Sequence, residues 1–284
     1  MKKFELTSEF VTFLGEKLFR IKALVSFGDV AEGELGGFIE KENNLDQSGN
    51  AWVYGDALVY GNARVSGNAR VSGDALVYGN ARVSGNARVS GDAQVYGDAL
   101  VCGDAQVYGD AQVYGDARVS GDAQVYGDAW VSGDAQVYGD AQVCGDAWVS
   151  GDAQVCGDAW VSGDAWVSGN AQVYGDAWVS GDAQVYGDAQ VCGDAWVSGD
   201  AQVCGDAWVQ CCRDYSAASC FGSKNRTTTF FRTKDDGIGV RCGCFYGTLE
   251  EFREKVKERH GDSRLAKEYL MLADAMEFRL SKDE

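Results

Sequence analysis

The sequence predicts an all-β protein whose middle, from Ala51 to about Asp206, is a single-stranded parallel β-helix of about nine triangular coils. Three observations carry this. The unit Ala-X-Val-Z-Gly-Asp/Asn repeats about 26 times without interruption, as in Ala123-Gln124-Val125-Tyr126-Gly127-Asp128. Its valine recurs every six residues between two variable positions, as a short strand with one inward and two outward side chains requires. Identity at X also depends on separation: roughly 14 of 24 pairs match at 18 residues, against 6 of 26 at six and 10 of 25 at twelve. Three units therefore make one coil, although duplication in 18-residue blocks would leave the same imprint.

Within each unit, Val points inward and Ala fits where the narrow prism leaves no room for more. Gly-Asp/Asn makes the corner, because glycine tolerates positive φ and Asx side chains bond local backbone. Open solenoid ends would expose unpaired strand, so caps are expected. Residues 1–50 read as an N-terminal β cap, strand-like from Leu18 to Phe27 with a turn at Gly33–Gly37. The solenoid is assigned to 51–210 and a small α+β domain to 211–284. In that domain Thr227–Thr233 and Ile238–Phe245 read as a hairpin around Asp235-Asp236-Gly237. Thr248-Leu-Glu-Glu251 is a capping box opening a helix to about Arg259, and a second amphipathic helix runs from about Arg264 to Leu280.

The ends carry a resemblance. Leu18-Phe-Arg-Ile-Lys-Ala-Leu24, Gly33-Glu-Leu-Gly-Gly-Phe-Ile-Glu40 and Asn44-Leu-Asp-Gln-Ser-Gly-Asn-Ala-Trp-Val-Tyr54 resemble a family of bacteriophage and bacterial hexapeptide-repeat proteins. So do Thr228-Thr-Phe-Phe-Arg-Thr-Lys234 and Cys242-Gly-Cys-Phe-Tyr-Gly-Thr-Leu-Glu-Glu-Phe252. The resemblance implies a left-handed solenoid and a phage or prophage origin, and brings with it an acyltransferase-like label taken from the hexapeptides.

The residues argue against that label. Hexapeptide acyltransferases use a basic His between coils, and the one histidine, His260, lies outside the repeat. No long loop interrupts the coils to shape a substrate pocket. His260 is assigned instead to the C-terminal end of a helix. Cys211, Cys212, Cys220, Cys242 and Cys244 could supply four thiolates to zinc, but paired Cys-x-x-Cys spacing is missing and ordinary buried thiols are the alternative. Cys102, Cys144, Cys156, Cys192 and Cys204 replace Tyr at Z and are expected at the surface. Twenty-one corner Asp residues are turn formers that do not require calcium. No cofactor is expected.

The net charge of −18 is concentrated: residues 91–206 carry −18, residues 51–90 carry +2 and residues 207–284 carry +1. Direct nucleic-acid binding by the solenoid is thereby disfavoured. No run is apolar enough to span a bilayer, and Glu5 and Glu9 interrupt any signal-like start. Ten scattered cysteines fit a reducing compartment, so the cytoplasm of a bacterial host is expected.

Sorting by coil gives three faces. One carries Gln106, Gln124 and Gln142, then Trp160, Trp178 and Trp196. A second carries Tyr60, Tyr78, Tyr96 and Tyr114 at Z with Trp130, Trp148 and Trp166 at X. The third carries Arg64 and Arg82, then Gln136, Gln154, Gln172 and Gln190. All eight tryptophans fall at X and are expected to face outward as binding ladders. The function expected from this is a non-catalytic scaffold for protein interaction or self-assembly. The alternatives are an acidic, DNA-mimic-like inhibitor of a host nucleic-acid-binding protein and, third, an atypical hexapeptide acyltransferase.

Overall fold

The structure, a computed structural model, describes residues 2–222 and 224–281. It is mostly β: a parallel solenoid of about ten turns, antiparallel N-terminal strands, and a C-terminal sheet with two helices. Backbone contacts divide the chain into two compact units, residues 1–152 and 153–284.

Both units build the repeat in the same way. Short strands recur every six residues from Trp52–Val53 to Trp208–Val209 (β4–β30). The repeat Val and Ala side chains are fully buried, and each valine so placed stabilises the coil by roughly 1.5–3 kcal/mol. Parallel pairing joins residues 18 apart: Leu58 with Leu76 and Arg64 with Arg82 in the first unit, Trp160 with Trp178 and Gln172 with Gln190 in the second. The X amide donates to the alanine carbonyl of the next coil, as Arg82 N to Ala99 O at 2.9 Å. The Z amide donates to its valine carbonyl, as Tyr78 N to Val95 O at 3.0 Å. Corner glycines are required twice over. Gly97 has φ +72°, and a Cβ there would sit 2.9 Å from Gly115 N in the next coil.

The first unit opens with a hairpin, β1 (Phe4–Phe13) against β2 (Glu16–Ala23), turning through Leu14 and Gly15, both at positive φ. The strand expected over Leu18 to Phe27 is thus shorter and shifted, and β1 was not anticipated. Strand β3 (Leu35–Ile39) pairs antiparallel with β2 and parallel with Leu58–Val59. This corrects the turn expected at Gly33–Gly37: Gly33 turns, but Gly36 and Gly37 lie in the strand. A Cβ on Gly36 would come 2.5 Å from Val53 O and 2.6 Å from Ile21 Cγ1, so close approach is what demands glycine there. After β3, Asp46 N donates to Val65 O and Asn50 N to Gly67 O. Residues 35–50 therefore wrap as an additional turn ahead of the repeats.

One tryptophan departs from the outward pattern. Trp52 is fully buried, held edge-on by Phe4 at 6.2 Å and Phe27 at 5.3 Å. The first X position lies beneath the cap, so its side chain becomes core. Lys3 closes the same region, its ammonium donating to Ala51 O at 2.9 Å.

In the second unit the C-terminal sheet has four antiparallel strands: β31 (Tyr215–Phe221), β32 (Arg226–Arg232), β33 (Ile238–Cys242) and β34 (Phe245–Thr248). The expected hairpin is its centre, with Phe230 opposite Val240. The two outer strands were not anticipated. Helix α1 (Leu249–His260) starts at the capping box, where Thr248 Oγ1 accepts from Glu251 N and the Glu251 carboxylate accepts from Thr248 N. Gly261, at φ +54°, ends it, and α2 (Arg264–Leu280) follows. Phe230, Val240, Phe252 and Tyr269 pack the helices on the sheet. The sheet is tied to the last coils by a bridge between Ala207 and Thr233 and by Gln202 N donating to Thr229 Oγ1 at 2.9 Å.

Burial holds the Lys3 ammonium down to about 8, against 10.5 in the open chain, with Asp46 partly countering the shift. Between these values the unfolded chain binds more protons, so the Lys3 contribution to stability rises with pH. The stability of the protein relative to its Lys3→Met variant should increase from pH 8 towards 10.5, by about 1.4 kcal/mol per pH unit at most. Thermal unfolding of both proteins across that range measures it, and a flat difference contradicts the assignment.

Candidate interaction faces

An X side chain leaves a strand whose inner neighbour is a buried valine, so it lies against its equivalents one coil away. In the first unit the Tyr60, Tyr78, Tyr96 and Tyr114 rings stack in succession at 5.0, 4.8 and 4.9 Å, within 4° of parallel. Trp130 and Trp148 meet edge to face at 5.5 Å. In the second unit Trp160, Trp178 and Trp196 form a continuous stack at 4.9 and 5.1 Å. Gln190 Nε2 donates a hydrogen bond to Gln172 Oε1 at 3.3 Å, with Gln154 in register with Gln172. In the first unit Gln136 is in register with Arg118. Among the tryptophans, Trp130, Trp148, Trp166 and Trp196 are exposed, Trp196 the most at 49%, whereas Trp160 and Trp178 are half-buried. The tyrosines and glutamines of the ladders are half-buried.

A second set of contacts, which no comparison at spacings of six, twelve or eighteen would find, joins Z to X sixteen residues later. The Tyr96, Tyr108, Tyr126 and Tyr174 hydroxyls donate to the Oε1 atoms of Gln112, Gln124, Gln142 and Gln190 at 3.2–3.5 Å. The Trp148, Trp178 and Trp196 indole N–H groups donate to Ser132, Ser162 and Ser180 Oγ at 3.0–3.2 Å. A large Z donor thus meets a Gln acceptor, and a small Ser acceptor meets the bulky indole. In these three indoles the one polar group is thus satisfied by a neighbouring coil, which leaves the rest of the ring surface carbon.

The corners carry ladders too. Asn62 donates to Asn80 and Asn80 to Asp98, while Asn68 donates to Asn86 and Asn86 to Asp104, at 2.8–3.2 Å. Asparagine here bridges neighbouring corners, and aspartate only accepts.

The repeat cysteines were expected at the surface. Cys144, Cys192 and Cys204 are buried instead, because the larger tyrosine of the coil before packs over the smaller side chain; Tyr186 lies in register with Cys204. The zinc candidates are not brought together. Cys211 Sγ lies 3.5 Å from Asp214 Oδ2, Cys242 accepts from Thr228 Oγ1, and Cys212, Cys220 and Cys244 are exposed. Among the described residues no three His, Cys, Asp or Glu side chains cluster to hold a metal ion. Cys242 and Cys244 line one pocket of the C-terminal domain, and Cys211, Cys212 and Cys220 are not among its lining residues. His260 sits at the end of α1 and stacks on Tyr269 at 5.7 Å.

In the second unit the last coils and the C-terminal sheet enclose an open cleft of about 640 Å³. Trp166, Gln184, Tyr186 and Gln202 form one wall, and Arg241 reaches across from β33, its Nε donating to Gln202 Oε1 at 3.1 Å. Arg241 was missed from sequence because its role depends on how the C-terminal sheet docks.

These features define the class of the protein: a parallel β-solenoid of hexapeptide repeats whose faces carry Trp, Tyr and Gln ladders. The YdcK β-solenoid repeat matches the chain in thirteen segments from 51–67 to 189–205. Together these cover residues 51–109, 111–151, 153–169, 171–187 and 189–205, more than half of the chain, which therefore belongs to the YdcK β-solenoid repeat family. No curated protein matches it.

Desolvation first, and the neighbouring Tyr78 second, push the Tyr60 hydroxyl up to about 12 from an ordinary 10. The folded state then holds its proton longer than the unfolded chain, so this contribution to stability is intact below pH 10 and is lost as pH rises towards 12. An ultraviolet titration should show the Tyr60, Tyr78 and Tyr96 phenols ionising late, together with loss of the β circular dichroism signal. Ionisation near pH 10 with the fold intact would contradict the stacked, desolvated ladder.

Proposed function

We propose that the protein is a non-catalytic scaffold whose solenoid faces bind other protein surfaces, including a second copy of itself. The observation that carries this reading is the Trp160, Trp178 and Trp196 stack at 4.9–5.1 Å spacing, with the Trp178 and Trp196 N–H groups bonded to Ser162 and Ser180 of the coil before. An ordered strip of carbon surface with little side-chain entropy left to lose is suited to association. The Trp160/Trp178/Trp196→Ser variant removes the strip while leaving the buried Val and Ala positions untouched. Sedimentation at increasing concentration should show reversible association of the unaltered protein and a monomer for the variant, with the same circular dichroism. A monomer in both cases sinks the self-association form of the reading.

A second reading rests on charge. Residues 91–206 carry −18, and corner carboxylates such as Asp110, Asp128 and Asp146 are exposed at a spacing of 18 residues. Such an array favours a cationic partner, and in this reading the chain occupies a bacterial nucleic-acid-binding protein. Immobilised protein should retain DNA-binding proteins from the heparin-binding fraction of a bacterial lysate. It should release them in high salt or after Asp→Asn replacement at Asp110, Asp128 and Asp146. Capture that ignores both changes overturns the mimicry.

A further inference from the structure

The C-terminal domain contains a pocket of about 220 Å³ that the ladder reading does not use. Its floor is aromatic: Phe221 from β31, Phe245 from β34, Phe252 from α1 and Tyr269 from α2. Phe252 anchors the set, edge-on to Phe230 at 5.9 Å and to Tyr269 at 5.8 Å, so the floor is part of the domain core and is fixed by it. Its rim is basic: Lys224 and Arg226 from one side, Lys255, Arg259 and His260 from α1. Among the described residues no Asp or Glu lines it. Lys255 has one carboxylate partner, Glu258, at 2.6 Å on the exposed side of the helix.

This arrangement is the reverse of the acidic segment at 91–206. In a protein of net charge −18, two lysines, two arginines and an imidazole line one aromatic recess, and Glu258 on Lys255 is the one carboxylate paired with them among the described residues. A concave apolar floor selects a planar or aliphatic body, and convergent cations at its mouth select an anionic group on that body. A neutral apolar molecule would use the floor alone, and a bare inorganic anion the rim alone.

We propose that this pocket binds a small anionic ligand with a planar apolar body, the body resting on Phe245 and Phe252 and its carboxylate or phosphate facing Lys255 and Arg259. The pocket shares Arg226 and Gly243 with the cleft against the last coils, but Phe245, Phe252, Lys255 and Arg259 line this pocket and not that cleft, so it is tested independently of the ladders.

Two probes of one shape separate floor from rim: 2-naphthoate, which carries the anion, and 2-naphthamide, which does not. Calorimetric titration of the full chain should show naphthoate binding at least about tenfold more tightly than the amide, as one charge-assisted contact supplies. That preference should fall with added salt and disappear in Lys255→Gln/Arg259→Gln, whose exposed side chains contribute nothing to the core. Location is read independently by alkylation. Cys244 lines the pocket and is exposed, whereas Cys212 is exposed and outside it. Naphthoate should slow iodoacetamide labelling of Cys244 and leave Cys212 unchanged. Equal affinity for the two probes, no binding of either, or binding that leaves Cys244 unprotected would each overturn the proposal.

Discussion

The solenoid faces depend on one constraint, the parallel backbone register that places each repeat residue beside the residue 18 positions later. Its hydrogen bonds are short and repetitive, 2.9 Å from Arg82 N to Ala99 O and again from Gln106 N to Ala123 O. The corner enforces it. A Cβ on Gly97 would press 2.9 Å against Gly115 N, and the φ of +72° already disfavours a side chain. Val and Ala fill the inside at zero exposure. With Gly, Val and Ala fixed by sterics, only X, Z and the choice of Asp or Asn remain free to vary.

That freedom is itself limited by the contact from Z to X sixteen residues on. A tyrosine at Z needs an acceptor above it, and Gln124 provides one for Tyr108 as Gln142 does for Tyr126. An indole needs room and an acceptor below it, and Ser162 provides both for Trp178. Ser before Trp and Tyr before Gln are thus favourable combinations at this spacing, but not obligatory ones: Tyr114 stands sixteen residues before Trp130, and Ser168 before Gln184.

The solenoid was legible in sequence because its period is a direct print of its geometry. Register, inner and outer positions and the three-way sorting of faces follow from counting sixes and eighteens. What counting misses is whatever the ends do. Trp52 occupies an X position, yet the cap turns it inward against Phe4 and Phe27. Gly36 looked like a turn residue, although its glycine is demanded by contact with Val53 and Ile21. The hairpin through Leu14-Gly15 carries no customary turn pair, so β1 went unseen. Arg241 meets Gln202 through docking of the C-terminal sheet, and no local pattern announces that.

The geometry of the coil also separates two kinds of attraction. Carboxylates sit at corners, since Asp follows the turn glycine, and aromatic ladders sit on the faces between them, since X and Z flank the strand. Two such faces can meet only by bringing their acidic edges together. Salt screens exposed charges beyond roughly 8–10 Å, so face-to-face association is strengthened by salt, while capture of a cationic partner along the edges is weakened by it. The exposed corners of residues 91–206 and the stacked indoles of residues 160–196 thus act in opposite directions on self-association. The segment at 51–90, at +2 with Asn62, Asn68, Asn80 and Asn86 at its corners, lacks that opposition. The balance between edge repulsion and face attraction therefore shifts along the chain, with Asp replacing Asn at the corners as glutamine and tryptophan replace arginine on the faces.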